Sequence, residues 1–128
     1  MSIKPDFTYT PEQAVEDGVY VPAELAKEAG FGYPVYIGDG LFQELQPTEE
    51  AKKWSKSWEG RQWELLMVVR MLVARAGDGA PGLDSDYLEG EVVISNDAKT
   101  EQTIDFWVGI QPMSDGSPAI IVFRPEDR

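Results

Sequence analysis

Thr103-Ile104-Asp105-Phe106-Trp107-Val108-Gly109-Ile110-Gln111 reads as a β-strand buried on one face. Successive side chains of a strand point to opposite sides of a sheet. Ile104, Phe106, Val108 and Ile110 therefore share one side, and Thr103, Asp105, Trp107 and Gly109 share the other. The apolar side needs a layer to pack against. Upstream, Tyr87–Ser95 is a second β-branched and apolar run, and downstream Ala119–Arg124 is a third. Asn96-Asp97 lies in the first connection, and Asp115-Gly116, bracketed by Pro112 and Pro118, lies in the second. Both read as hairpin turns, so the three strands form an antiparallel meander.

The layer that covers the meander is read as a helix over Glu59–Ala76. Trp63, Leu66, Met67, Arg70, Val73 and Ala74 recur at helical spacing, and Val69 and Leu72 widen the stripe. Trp63 is expected in the core. Gly77 stops the helix, and Gly77–Asp86 is a loop. Shorter elements precede it. Thr10-Pro11-Glu12-Gln13 carries a cap, a first-turn proline and a capping-box glutamine, with Asp17-Gly18 as the stop. Gly18–Val21 and Pro34–Ile37 are short strand candidates. Pro22–Ala29 reads as a helix closed by Gly30. Asp39 is placed to cap a helix reaching about Gln46, with Leu41, Phe42 and Leu45 as its core stripe. Pro47–Ser57 is a polar loop or solvated helical turn. Helices early and strands late make an α+β fold: a C-terminal antiparallel β-meander packed against a central helix, with shorter N-terminal helices. A chain of 128 residues fits a single domain spanning 1–128.

Composition limits the chemistry. The chain has no cysteine and no histidine. Disulfides, Cys-ligated zinc, the Ser-His-Asp triad and the usual imidazole base are excluded. The longest apolar runs, Leu65–Val69 and Met71–Ala74, fall far short of a membrane span of ~20 residues. No leader pattern is visible, and a cytoplasmic location is expected. A Ser–Lys pair drawn from Lys52, Lys53, Ser55, Lys56 and Ser57 lies in a polar stretch, where a lysine keeps its high pKa. The glycine stretches lack dinucleotide and P-loop spacing. No catalytic residue, metal site or cofactor is assigned.

Charge is the strongest signal. Acidic residues number 23 and basic residues 11, a formal net charge of −12. Residues 1–50 carry 10 acids and 2 bases, residues 51–76 carry 2 acids and 6 bases, and residues 77–128 carry 11 acids and 3 bases. Such a chain is repelled by nucleic acid and anionic membranes and attracted to basic surfaces. Asp84, Asp86, Glu89 and Glu91 form a carboxylate cluster that does not match the EF-hand loop. It reads either as a solvated acidic loop entering an edge strand or as an acidic binding patch. Trp54 and Trp58, four residues apart beside Lys53, Lys56 and Arg61, read either as a lid over the core or as an aromatic and basic contact patch.

Several blocks recur in a familiar order. Asp17-Gly18-Val19-Tyr20-Val21 leads to Leu25-Ala26-Lys27-Glu28-Ala29-Gly30-Phe31 and Tyr33-Pro34-Val35. Gly60-Arg61-Gln62-Trp63-Glu64-Leu65-Leu66 and Val69-Arg70-Met71-Leu72 follow, then Asp115-Gly116-Ser117-Pro118-Ala119-Ile120-Ile121 and Pro125-Glu126-Asp127. Together they resemble a family of small proteins carried by plasmids, phages and other mobile elements, a domain of unknown function (DUF6573). The resemblance implies a mobile-element setting and carries no catalytic residues. Where a threonine cap is expected after the Pro34–Ile37 strand, this chain has Gly38-Asp39, and the connection near 77–86 is shortened.

These readings converge on an accessory protein that inhibits a host nucleic-acid-handling defence protein, of anti-CRISPR or antirestriction type. The expected partner is a protein with a basic surface, with no direct nucleic-acid or membrane contact, and the chain is a monomer or homodimer. The alternatives are a protein that sequesters a signalling nucleotide through an aromatic pocket and Arg61 or Arg70, or a carboxylate- or metal-dependent enzyme.

Overall fold

The computed structural model describes residues 10–53, 56–76, 87–95 and 101–127. The expectations for the first nine residues, Trp54 and Ser55, the 77–86 loop and the Asn96-Asp97 turn lie outside the described residues. The fold is α+β. In chain order it comprises α1 (Pro11–Glu16), β1 (Tyr20–Pro22), β2 (Val35–Gly38), α2 (Asp39–Leu45), α3 (Glu49–Lys53), α4 (Trp58–Ala76), β3 (Leu88–Ser95), β4 (Glu101–Pro112), β5 (Pro118–Phe123) and a 3-10 turn at Pro125–Asp127.

The strands form one sheet of order β1-β2-β5-β4-β3. The meander β3-β4-β5 is antiparallel as expected, with Val92 opposite Ile104 and Val108 opposite Val122. The sheet also extends further than the meander. β2 runs parallel to β5, with Tyr36 opposite Ile121, and β1 pairs antiparallel to β2 at the far edge. That parallel pair joins residues more than eighty positions apart, which no local turn signal can announce. The β4–β5 hairpin closes through Met113 N–H to Ser117 C=O at 2.7 Å, with Gly116 at a φ of +86°.

One sheet face carries the main core. Val35, Ile37, Val92, Ile104, Phe106, Val108, Ile120 and Val122 point toward the helices. From α4 they receive Leu65, Leu66 and Val69, and from α2 Leu41 and Leu45, all fully buried. Burying one such side chain is worth roughly 1.5–3 kcal/mol. Gly90 lets α4 approach β3 closely. A Cβ there would lie 2.5 Å from Leu72 Cδ1 and 2.8 Å from Phe106 Cζ.

The rotation of α4 corrects the expected core stripe. The inward face is Trp58, Arg61, Gln62, Leu65, Leu66, Val69, Leu72 and Val73. Trp63 and Met67 point outward, 41% and 42% exposed. Two polar residues occupy the inward face and three large apolar ones the outward face, so hydrophobic spacing alone misplaces the stripe. Both polar residues are bonded. Gln62 Oε1 accepts from Leu25 N–H at 2.9 Å. The Arg61 guanidinium donates to Leu45 C=O at 3.2 Å and to Ser95 C=O at 2.8 Å, tying the end of α2 to the end of β3.

Pro22–Ala29 is not a helix. Pro22 closes β1, and residues 24–30 form consecutive turns. The Leu25 N–H is taken by Gln62, and Gly30 leaves the turns at a φ of +99°. Asp39 does not cap α2. Gly38 holds the cap position without a side-chain bond, while Asp39 Oδ1 accepts from Gln43 Nε2 within the first turn. The capping box of α1 forms as read, with Thr10 and Gln13 bonding each other reciprocally. The polar 47–57 stretch contains α3, started by Thr48 Oγ1 accepting from Ala51 N–H.

Arg61→Ala should destabilise the fold by about 2–4 kcal/mol, because two carbonyls lose a charged donor and the side-chain stem leaves a void. Arg61→Lys should lose less, since an ammonium still reaches one carbonyl. Urea unfolding of the three proteins checks the order.

Candidate functional site

The sheet face turned away from α4 is the candidate site. Alternation places Glu89, Glu91 and Val93 of β3 on it, with Thr103, Asp105 and Trp107 of β4 alongside. Glu91 pairs directly with Asp105, and Glu89 pairs directly with Trp107. All three carboxylates are exposed. Directly opposed side chains on a sheet lie about 5 Å apart at Cβ, so the Glu91–Asp105 pair repels across the ladder. Glu101 extends the acidic strip toward the far end of the hairpin, opposite Ser95.

Beside the acids stands an aromatic cluster. Tyr87 stacks on Trp107 with centroids 5.7 Å apart and meets Phe123 edge-on at 5.2 Å. Trp107 and Phe123 also meet edge-on at 6.5 Å. The Tyr87 ring lies over Gly109, where a Cβ would collide with it. Further along the face Tyr20 stacks on Tyr36 at 6.2 Å, and Tyr20 Oη donates to Gln111 Oε1 at 2.8 Å. Ala119, Ile121 and Phe123 form the buried floor of this second, smaller cluster.

The proposed site residues fare differently. Glu89 and Glu91 come together on the open face, and Asp105 joins them. Asp84 and Asp86 lie outside the described residues. Trp58, the first residue of α4, is half-buried, meets Phe42 of α2 edge-on at 4.8 Å and packs against the main core. Arg61 is 3% exposed and does not form a surface patch with Trp58. Burial lowers its pKa and Glu64 acts in the opposite sense. Trp54 lies outside the described residues. Asp105 and Trp107 are legible in the alternation of their strand. Their partners across the ladder need the register, which the sequence does not print.

The rim holds one further polar joint. Ser114, at the β4–β5 hairpin, donates its N–H and Oγ to the Glu12 carboxylate, the latter at 2.7 Å. This bond holds the Glu12 carboxyl below its usual range. Asp115 is lowered by accepting from Ser117 Oγ and N–H within the same turn. Tyr36, near Glu12, is raised by burial and by that carboxylate.

At the β1–β2 end of the sheet, a groove of about 310 Å³ runs beside the 24–30 turns, lined in part by Pro22, Lys27, Phe31, Tyr33 and Tyr36. Neither Arg61 nor Arg70 lines it. Among the described residues no group of three or more His, Cys, Asp or Glu side chains is placed to hold a metal ion, and no helix is long and apolar enough to cross a membrane. Comparison with family models, curated proteins and solved structures returns no match.

Replacing Asp105 with Lys turns a repulsive ladder pair into an attractive one. It should stabilise the domain by about 0.5 kcal/mol, within the ~0.2–1 kcal/mol range of cross-strand pairs, read as a raised midpoint of urea unfolding. Acid should loosen the α1 joint. A carboxylate with a lowered folded pKa contributes stability above its unfolded pKa of about 4.3, and this is lost as pH falls through the folded value. Between pH 6 and pH 2.5 the melting temperature of Glu12→Gln should therefore fall less than that of the parent.

Proposed function

We propose that this chain is a mobile-element accessory protein that inhibits a host nucleic-acid-handling defence protein, of anti-CRISPR or antirestriction type, by docking on its basic surface. The supporting observation is the open sheet face. Glu91 faces Asp105 across the ladder, Glu89 stands beside Trp107, and the aromatic cluster lies next to them. Opposed like charges cost folding free energy, and a basic partner relieves that cost on binding. Carboxylates spaced along a ladder offer a row of acceptors to Arg and Lys side chains that otherwise hold phosphates. The adjacent rings supply apolar contact area of the kind that dominates binding hot spots. The net charge of −12 steers such a partner and repels nucleic acid itself. The mobile-element setting is part of the proposal and rests on the resemblance of the sequence blocks alone.

A second reading, sequestration of a small aromatic ligand, draws on the groove at Phe31, Tyr33 and Tyr36. Lys27 is the cation that lines it, with Glu24 close by in the same wall. This offers little for a multiply charged nucleotide.

The test is capture from host lysate on the immobilised protein, in parallel with Glu89→Lys/Glu91→Lys/Asp105→Lys. Basic, nucleic-acid-binding proteins are expected, eluting below about 0.5 M salt and absent from the variant, as screening of exposed charge requires. Partners retained equally by the variant, or unmoved by salt, contradict it. Mass spectrometry of the denatured protein for a copurified small molecule decides the second reading.

A further inference from the structure

The outward face of α4 has a property separate from the acidic sheet face, on the other side of the sheet. Trp63, Met67 and Met71 lie along it, 41%, 42% and 49% exposed. At 3.6 residues per turn, Met67 marks the centre of this face, with Trp63 and Met71 about 40° to either side. Gly60 and Ala74, both exposed, lie seven residues before and after Met67 and within about 20° of the same line. The face is thus a ridge of three large apolar side chains with a small residue at each end.

Its charges have the matching symmetry. One flank carries Glu64 and Arg75, and the other carries Glu59 and Arg70, all exposed. Each flank has one acid and one base, and the face is locally neutral in a chain of net charge −12. We infer that the outward face of α4 is a two-fold interface for a second copy of this chain, with the two α4 helices antiparallel and crossing at Met67.

A two-fold antiparallel pair brings each flank against the same flank of the other copy. Glu64 of one copy then lies nearest Arg75 of the second copy, and Glu59 nearest Arg70 of the second copy. Each pair is offset by about 7–8 Å along the axis, within reach of long side chains. Trp63 meets the exposed stem of Arg70 of the second copy, whose guanidinium lies against Gly30 of its own chain. Parallel packing would instead bring Arg75 nearest Arg70 and Glu64 nearest Glu59, so the nearest charge pairs favour the antiparallel sense, in which the two Glu64 and the two Arg70 side chains are offset by about 9 Å. Gly60 and Ala74 come opposite each other at both ends, where small residues let helices approach. A ridge of three apolar side chains is small beside the ~800 Å² per partner of standard complexes, so the dimer is expected to be weak. Its salt response is opposite to that of the acidic face, because salt screens the repulsion between two acidic chains.

The chain has no cysteine, so introduced thiols report the geometry cleanly. Helix axes 8–10 Å apart bring Cα atoms at the crossing point within the ~4.4–6.8 Å a disulfide accepts, whereas two copies of residue 74 lie about 21 Å apart. Under mild oxidation Met67→Cys should form a covalent dimer, Ala74→Cys alone should not, and a mixture of Gly60→Cys with Ala74→Cys should. Circular dichroism of the reduced variants checks that each is folded. Sedimentation of the parent should show a dimer that strengthens at least twofold between 20 and 300 mM salt and is lost in Met67→Glu. A parent that remains monomeric at 200 µM, a dimer unaffected by Met67→Glu, or Ala74→Cys linking as readily as Met67→Cys overturns the inference.

Discussion

Leu65, Leu66 and Val69 seal α4 against Val92, Ile104, Phe106 and the rest of the inner sheet face. Most of what the molecule presents to solvent follows from that packing. It fixes which side of β3 and β4 is inner, and hence that Glu89, Glu91, Asp105 and Trp107 lie on the other. It also decides which side chains of α4 are left outside. The close fit at Gly90, where Leu72 and Phe106 occupy the space of a side chain, holds the helix to one position over β3. Arg61 holds the same register from the polar side, by taking one carbonyl from α2 and one from β3.

A sheet covered on one face only must manage the other. Here the second face is divided. Around Ala119, Ile121 and Phe123 it is closed by Tyr20, Tyr36, Trp107 and Met113. Toward β3 it is acidic and exposed, and the ladder sets one carboxylate against another. A fold selected for stability alone gains nothing from that pairing, since a lysine at either position would be worth more. The capping box, the Glu12–Ser114 joint and the Asp115 turn belong to the ordinary means of closing a small domain, and the Glu12 and Asp115 carboxylates are engaged locally.

The sequence makes the strands legible to within one or two residues because their alternation is local. Ile104, Phe106, Val108 and Ile110 sort to the inner face on period alone, and the α1 capping box is equally local. What is not legible is non-local. The β2–β5 pair depends on side chains distant in the chain, and nothing near Val35 announces Ile120. The 22–29 segment has helical composition, but Ala23 N–H goes to Val35 C=O and Leu25 N–H to Gln62, and the bonds that follow mix i−3 and i−4 partners, so it forms turns. Arg61 resembles a surface cation until its two carbonyl partners are seen. The stripe of α4 is ambiguous for a physical reason: apolar side chains occur on both faces, and the inner face includes Arg61 and Gln62. Only the sheet decides between them. Among the site residues, Glu89 and Glu91 are readable as acids in a strand, while the opposition of Glu91 to Asp105 requires the register.

The orientation of α4 is the claim on which both surfaces rest, and two adjacent side chains separate it from its alternative. Leu66 is fully buried and Met67 is 42% exposed. In dilute solution, urea unfolding of Leu66→Ala should show a loss of about 2–5 kcal/mol, the cost of a large-to-small change in a packed core. Met67→Ala should stay within about 1 kcal/mol of the parent, as expected for a surface position. A Met67→Ala loss equal to or larger than that of Leu66→Ala would place the helix a third of a turn away and contradict the account.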